Sequence, residues 1–328
     1  MRIAGILAAT ALLVVVSHRA HADGKAWAAA RAGLPVEAKL IVGVDVAAFQ
    51  KSQLFATLYP RLIEKADAAK LIDTVKDACK IDPLAAMQAV VVATSSDRED
   101  GAVYIALSGL DRARLSACLQ VAAQKHLDSQ DKPDPTARTA RPAKTAGVAS
   151  VVVRQDGNIT EVSDGHDTVF LGWSGKDVLV VSLHAQDRPS LVKWMGGKGA
   201  LGRSELARSI ARTNTSATMW GASEVSQEVQ DGVTVKGGYG AVKLAKGNLD
   251  ADFHAVMGSP AQATTMAATA QKQLEEARQG GQMPPGLIAM LKTVTIAATS
   301  NEVVIKANVG EKDVLGLMAI ALGGLGGP

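Results

Sequence analysis

The sequence predicts an α+β fold: antiparallel sheets built from repeated β-β-α units, with helices on one face and an internal duplication. Three observations lead there. In residues 238–278, Gly240, Val242 and Leu244 alternate with polar or small neighbours, Lys246, Gly247 and Asn248 turn the chain, and Leu249, Ala251, Phe253 and Ala255 alternate on the return. Period two on both arms is the pattern of a hairpin with one wet and one buried face. A helix follows at once, because Ser259 offers an N-cap oxygen, Pro260 suits the first helical position, and Ala263, Met266, Ala267, Ala270, Leu274 and Ala277 form one apolar stripe. That helix is expected to lie across the hairpin's apolar face. Residues 89–126 repeat the order, and residues 148–182 hold four short apolar runs whose joints each carry Gly with Asp or Asn, the chemistry of tight hairpin turns in a meander.

Taken from the N-terminus, Met1 and Arg2 precede an apolar run over 3–16, and Ala20 and Ala22 supply small residues at cleavage-site spacing. The run is too short to span a bilayer, so residues 1–22 read as a secretory signal cleaved after Ala22; an uncleaved anchor is the competing reading. No transmembrane segment is expected in the mature chain. Of 35 basic and 32 acidic residues, Arg2 and Arg19 leave with the leader, so the mature chain is one charge from neutral. A neutral chain without a clustered basic face does not predict nucleic-acid binding or attachment to an anionic membrane surface.

Nearly half the residues are apolar (47%), which excludes disorder of the whole, but only 3% are aromatic. Scarce aromatics count against sugar clefts and peptide-capturing surfaces. The first strand is read at 40–46, followed by helices carrying Leu54, Phe55, Leu58 and Leu62, then Leu71, Ile72, Val75, Ala78 and Cys79, on their apolar sides. Strands at 89–93 and 102–107 and a helix over 112–126 complete the first β-β-α unit. Residues 128–146, with three prolines and no large apolar side chain, read as an exposed mobile loop, since such a run cannot offset its ordering entropy by burial. After the meander come helical segments at 189–195 and 205–212.

At 217–228 the order restarts: an apolar strand with a central glycine, an acidic residue and a turn, as at 38–49. The hairpin at 238–257 then answers 89–107, and strands at 293–298 and 303–309 before an apolar helix at 314–322 answer the meander. The domain reading is a first α+β unit over 23–198 and a related second unit over 199–328.

Cys79 and Cys118 lie on the apolar faces of two predicted helices, and export makes a disulfide between them the favoured reading over two buried thiols. Gly197, Gly199 and Gly202 fit a G-x-G-x-x-G spacing, but they follow a helical pattern rather than a strand and lack the phosphate-loop lysine, so they read as a turn before a Ser204 cap. Asp164, His166 and Asp167 carry metal-ligand atoms, yet the joint they occupy is a turn and no paired-histidine motif accompanies it. Asn158-Ile-Thr160 and Asn214-Thr-Ser216 match glycosylation acceptors. Trp173 and Trp220 read as core residues of the two units.

No catalytic site, metal site or cofactor is predicted. The functional reading is an exported protein, periplasmic or secreted, that acts by binding, either as a scaffold for a partner protein or as a carrier of a small apolar or lipid-like ligand. The alternative is an extracytoplasmic hydrolase of unrecognised type, and a pocket lined by acid and base groups would separate the two.

Overall fold

Two strands near the middle of the sheet, β1 (Leu40–Asp45) and β8 (Met219–Ser223), pair antiparallel and join everything else into one sheet. The computed structural model describes residues 22–65, 68–96, 100–130, 152–163, 168–183, 187–224, 226–230, 232–279 and 285–316. The expected signal at 1–21, the turn with Asp164, His166 and Asp167, and all but the first residues of the 314–322 helix fall outside them. Ala22 opens the first helix, α1 (Ala22–Gly33).

On one side of β1 lie β2 (Met87–Thr94), β3 (Gly101–Leu107), β7 (Val178–Ser182), β6 (Thr168–Ser174), β5 (Ile159–Ser163) and β4 (Val152–Asp156), in that order. On the other side of β8 come β10 (Val233–Ala245), β11 (Asn248–Met257), β13 (Glu302–Gly310) and β12 (Thr295–Thr299), with β9 (Gln227–Gln230) beside the start of β10. Every pairing is antiparallel. Lys246 and Gly247 both have positive φ, 52° and 80°, the conformation a two-residue hairpin turn between β10 and β11 requires.

Directly opposed residues share a face of the sheet, so the register sorts the core. One face carries the row Val181, Val103, Val92, Val42, Gly221, Gly240, Phe253, Ile305 and Ile296. The opposite face carries Val180, Tyr104, Val91, Gly43, Trp220 and Ala241. We call them the first and second faces.

Helices cover both faces, not one as the sequence suggested. The first is packed by two helical turns, α2 (Val46–Phe49) and α5 (Pro83–Ala86), and by α3 (Gln53–Lys65) and α6 (Arg112–Gln130), with α4 (Ala68–Cys79) against α6. The second is packed by α1, α7 (Arg188–Met195), a 3-10 turn at Ala200–Arg203 and α8 (Glu205–Arg212). The reason is written in β3 and β7, where every residue is buried. A strand apolar on both sides must be covered on both sides.

A second departure concerns α9 (Pro260–Gln279). Rather than lying across β10 and β11, it packs chiefly on β12 and β13, with α10 (Pro285–Thr293) beside it. Ala263 and Ala267 of α9 are buried against Val303 and, with Met266, beside Ile296 and Ile305. The strands that follow α9 extend the sheet outward from β11, and the helix follows the apolar surface they create. Helix α6 also runs on to Gln130, so residues 128–130 of the predicted loop are helical; residues 131–151 lie outside the described residues.

The glycines at 197–202 have a structural task. The Gly197 and Gly199 amides donate to the carbonyls of Gly33 (2.8 Å) and Ala32 (2.9 Å), capping orphan acceptors at the end of α1. Ser204 Oγ accepts from the Ala207 amide at 3.1 Å and caps α8. Residues 311–316 form a helical turn at the sheet's far end, where the buried Glu311 carboxylate accepts from the Gln53 amide at 2.6 Å and holds the start of α3. Cys79 and Cys118 bring α4 and α6 together with Cα atoms 4.9 Å apart, a separation that a disulfide spans.

Candidate binding site

On the first face, the helices over β2 and β3 and those over β12 and β13 leave the middle strands uncovered. Here β8 and β10 lie side by side and carry almost no side chains: Gly221 opposes Gly240, and Ser223 opposes Gly238. The strands flanking this floor do carry them. Leu40 and Val42 of β1 stand on one side, Phe253 and Ala255 of β11 on the other.

The result is a trough of about 530 Å³, two strands wide, closed on one side by Val229 and Gln227 of β9 and reaching Ile305 beyond Phe253. Val42 and Phe253 are 38% and 46% exposed. Phe253 leans over the floor, since a Cβ on Gly240 would lie 2.3 Å from its ring. Towards the chain's mid-strand positions the floor ends where Met219 and Val242 supply side chains again. At its other end stand Ser95, Ser96, Ser223 and Gln227. Tyr239, His254 and Ala222 also border the trough, but by strand alternation their side chains leave through the second face. No side chain directed into it from the described residues is an acid, a base or a cation.

The second face holds the contrasting cluster. Glu302, buried, accepts from the Tyr239 hydroxyl at 2.9 Å, lies 3.1 Å from His254 Nδ1 and pairs with Arg212 of α8. Tyr239 stacks on His254, centroids 4.4 Å apart, and the Arg212 guanidinium lies 4.4 Å over the tyrosine ring. Asp252 lies 3.2 Å from His254 Nε2 and 3.4 Å from Lys306 Nζ. Each group is engaged by another member, so the cluster works as a clip from α8 to β10, β11 and β13.

Burial holds the His254 pKa below its usual 6.5; Asp252 opposes this, while Arg212 and Lys306 reinforce it. The folded chain therefore binds fewer protons here than the unfolded chain as pH falls through that range. Stability from this site is complete above the unfolded histidine pKa and is lost as pH falls through the lower folded value. The urea midpoint is expected to drop between about pH 7.5 and about pH 5, and to drop less in His254→Gln. An equal drop in the two proteins would assign the pH dependence elsewhere.

A further cleft of about 590 Å³ lies at the turn ends of β3 and β7, where Lys25 pairs with Asp177 and Arg114 donates to the Gly109 carbonyl at 3.0 Å. Among the described residues no group of three or more His, Cys, Asp or Glu side chains could hold a metal ion, and no helix is long and apolar enough to cross a membrane. Trp173 and Trp220 are both buried, in the cores of opposite faces, and line no common cavity. Of the sequence-predicted site residues, Cys79 and Cys118 are brought together, far from the trough. The trough itself was missed. Its signal was the pair of glycine-bearing strands, Gly221 and Gly238 with Gly240, whose adjacency only the β8–β10 pairing creates.

No family model matches the chain, and no curated protein does. Among solved structures it is similar to crystal forms III and IV of TP0453, at TM-scores of 0.46 and 0.45 and identities of 9% and 10%. These alignments cover 89% and 90% of this chain and 97% and 99% of those chains.

Proposed function

We propose that this is an exported, non-catalytic binding protein that carries a small apolar ligand in the glycine-floored trough. One observation carries the reading: an apolar seat in the middle of the sheet, left open on the first face between its two groups of helices, into which no acid or base of the described residues points. Its size falls within the usual range for small-molecule sites, which favours a ligand over a protein partner. Hydrolysis would require a nucleophile with a base in reach. The trough offers serine hydroxyls, while His254 is directed to the other face.

Export rests on the leader at 1–22, with cleavage after Ala22 and a periplasmic or secreted destination. We also read the chain as an internal duplication of β-β-α units, 23–198 and 199–328. Strand order supports this: β2, β3, β7 and β6 run outward from β1, and β10, β11, β13 and β12 run outward from β8.

Native mass spectrometry on protein purified from its own host tests both parts. The expected result is a polypeptide beginning at Asp23 with an adduct that is lost on denaturation and absent from Phe253→Ala. A polypeptide that retains residues 1–22 would overturn export. Repeated recovery without any adduct, from extracts where the chain is abundant, would overturn the carrier reading.

A further inference from the structure

The trough is asymmetric along its length, and the asymmetry specifies the ligand more closely. At the Met219 and Val242 end the lining is hydrocarbon: Val42 faces Phe253 across Gly221 and Gly240. At the opposite end it turns polar without becoming charged. Ser223 sits in the floor between Leu40 and Gly238, with Ser96 and Gln227 at the rim. The charges flanking Leu40 and Ser223 in sequence are engaged on the second face. Glu224 pairs with Lys39 at 3.1 Å and accepts from the Leu206 amide of α8 at 3.2 Å, on the second face.

An ionised head group placed here would leave water without gaining a counter-ion from the described lining residues, which is costly. A hydroxyl or ester head group loses far less, and serine and amide side chains can replace its water hydrogen bonds. The floor favours a slim or flat body, because backbone without side chains lets a ligand approach the sheet itself.

Resting on the reading of the trough as the ligand seat, we infer that it selects an uncharged amphiphile. The apolar body lies on Gly221 and Gly240 between Val42 and Phe253, and the hydroxyl or ester head group lies at Ser96, Ser223 and Gln227. Carboxylate- and phosphate-headed lipids of the same chain length are discriminated against, because no described side chain lining the trough is a cation.

Isothermal titration of the mature protein with 1-monolauroylglycerol and with laurate, each below its micelle concentration and at a pH where laurate is ionised, tests this. The neutral ligand is expected to bind saturably and about tenfold or more tightly than laurate. Phe253→Ala, whose side chain is half exposed and not needed for the core, is expected to weaken the neutral ligand by about tenfold. Ser223→Lys is expected to raise laurate affinity selectively by supplying a cation in the floor. Circular dichroism verifies that both variants are folded. If laurate binds as tightly as the neutral ligand, and Phe253→Ala weakens both, the trough is the seat but its selectivity is not as inferred. If neither ligand binds, or Phe253→Ala changes neither, the trough is not the seat and the inference falls with it.

Discussion

Gly43→Ala is expected to destabilise the folded chain by about 1–3 kcal/mol, an unusually large effect for adding one methyl group. A Cβ at Gly43 would lie 2.1 Å from Cε2 and 2.3 Å from Nε1 of Trp220, its direct cross-strand partner. The indole is 2% exposed and meets Trp27 of α1 edge-on, with ring centroids 5.2 Å apart and planes at 71°. It occupies the space a side chain on β1 would fill, on the one strand pair that joins the two sides of the sheet. Moving it would loosen α1 as well as the β1–β8 contact.

Trp220→Ala is expected to cost about 3–5 kcal/mol by leaving a cavity. In that background Gly43→Ala should cost almost nothing, because the atoms it strikes are gone. Urea denaturation of the four proteins in the cycle gives the coupling directly, expected at about 1–3 kcal/mol. If Gly43→Ala costs the same with and without the indole, the close approach is not its cause.

The second large effect concerns Cys79 and Cys118, which are 39 positions apart in sequence and face each other between α4 and α6. When oxidised, the pair closes a loop worth about 4 kcal/mol in the chain-entropy model. Reductant is then expected to lower the urea midpoint of the native protein and to leave that of the Cys79→Ala, Cys118→Ala variant unchanged. Denaturing mass spectrometry without reductant should find the oxidised pair two hydrogens light. Uptake of alkylating reagent at both cysteines by unfolded, unreduced protein would reject the bond and the stability effect together.

The outcome element by element separates local from non-local information. Helix α8 was legible to the residue because Ser204 caps it and Leu206 and Ile210 repeat on one face, both buried. The β10–β11 hairpin was legible because Lys246 and Gly247 turn it and both arms alternate. Helices on both faces were misread, although the uninterrupted apolar runs 89–93 and 102–107 already lacked the polar alternation of a strand with one wet face. Phe253 was read as buried from its period, and it is half exposed because α9 moved outward with β12 and β13. The trough was invisible for the same reason: each glycine is an ordinary strand residue until β8 and β10 lie side by side.

What the sequence alone determined is therefore most of the strands, the helices with a cap or a clear apolar stripe, and the tight turns; α1, β9 and α10 were not read from it. Capping, turn geometry and periodicity act within a few residues and need no knowledge of the rest of the chain. Only the tertiary structure decided that the strands form one sheet through β1 and β8, that both faces of its central strands are covered, and that the strip between Val42 and Phe253 is not. Those outcomes depend on which apolar surfaces meet, and a strand alternating along its own length carries no record of its neighbour. The trough is a property of four strands in register, and it exists only once they have paired.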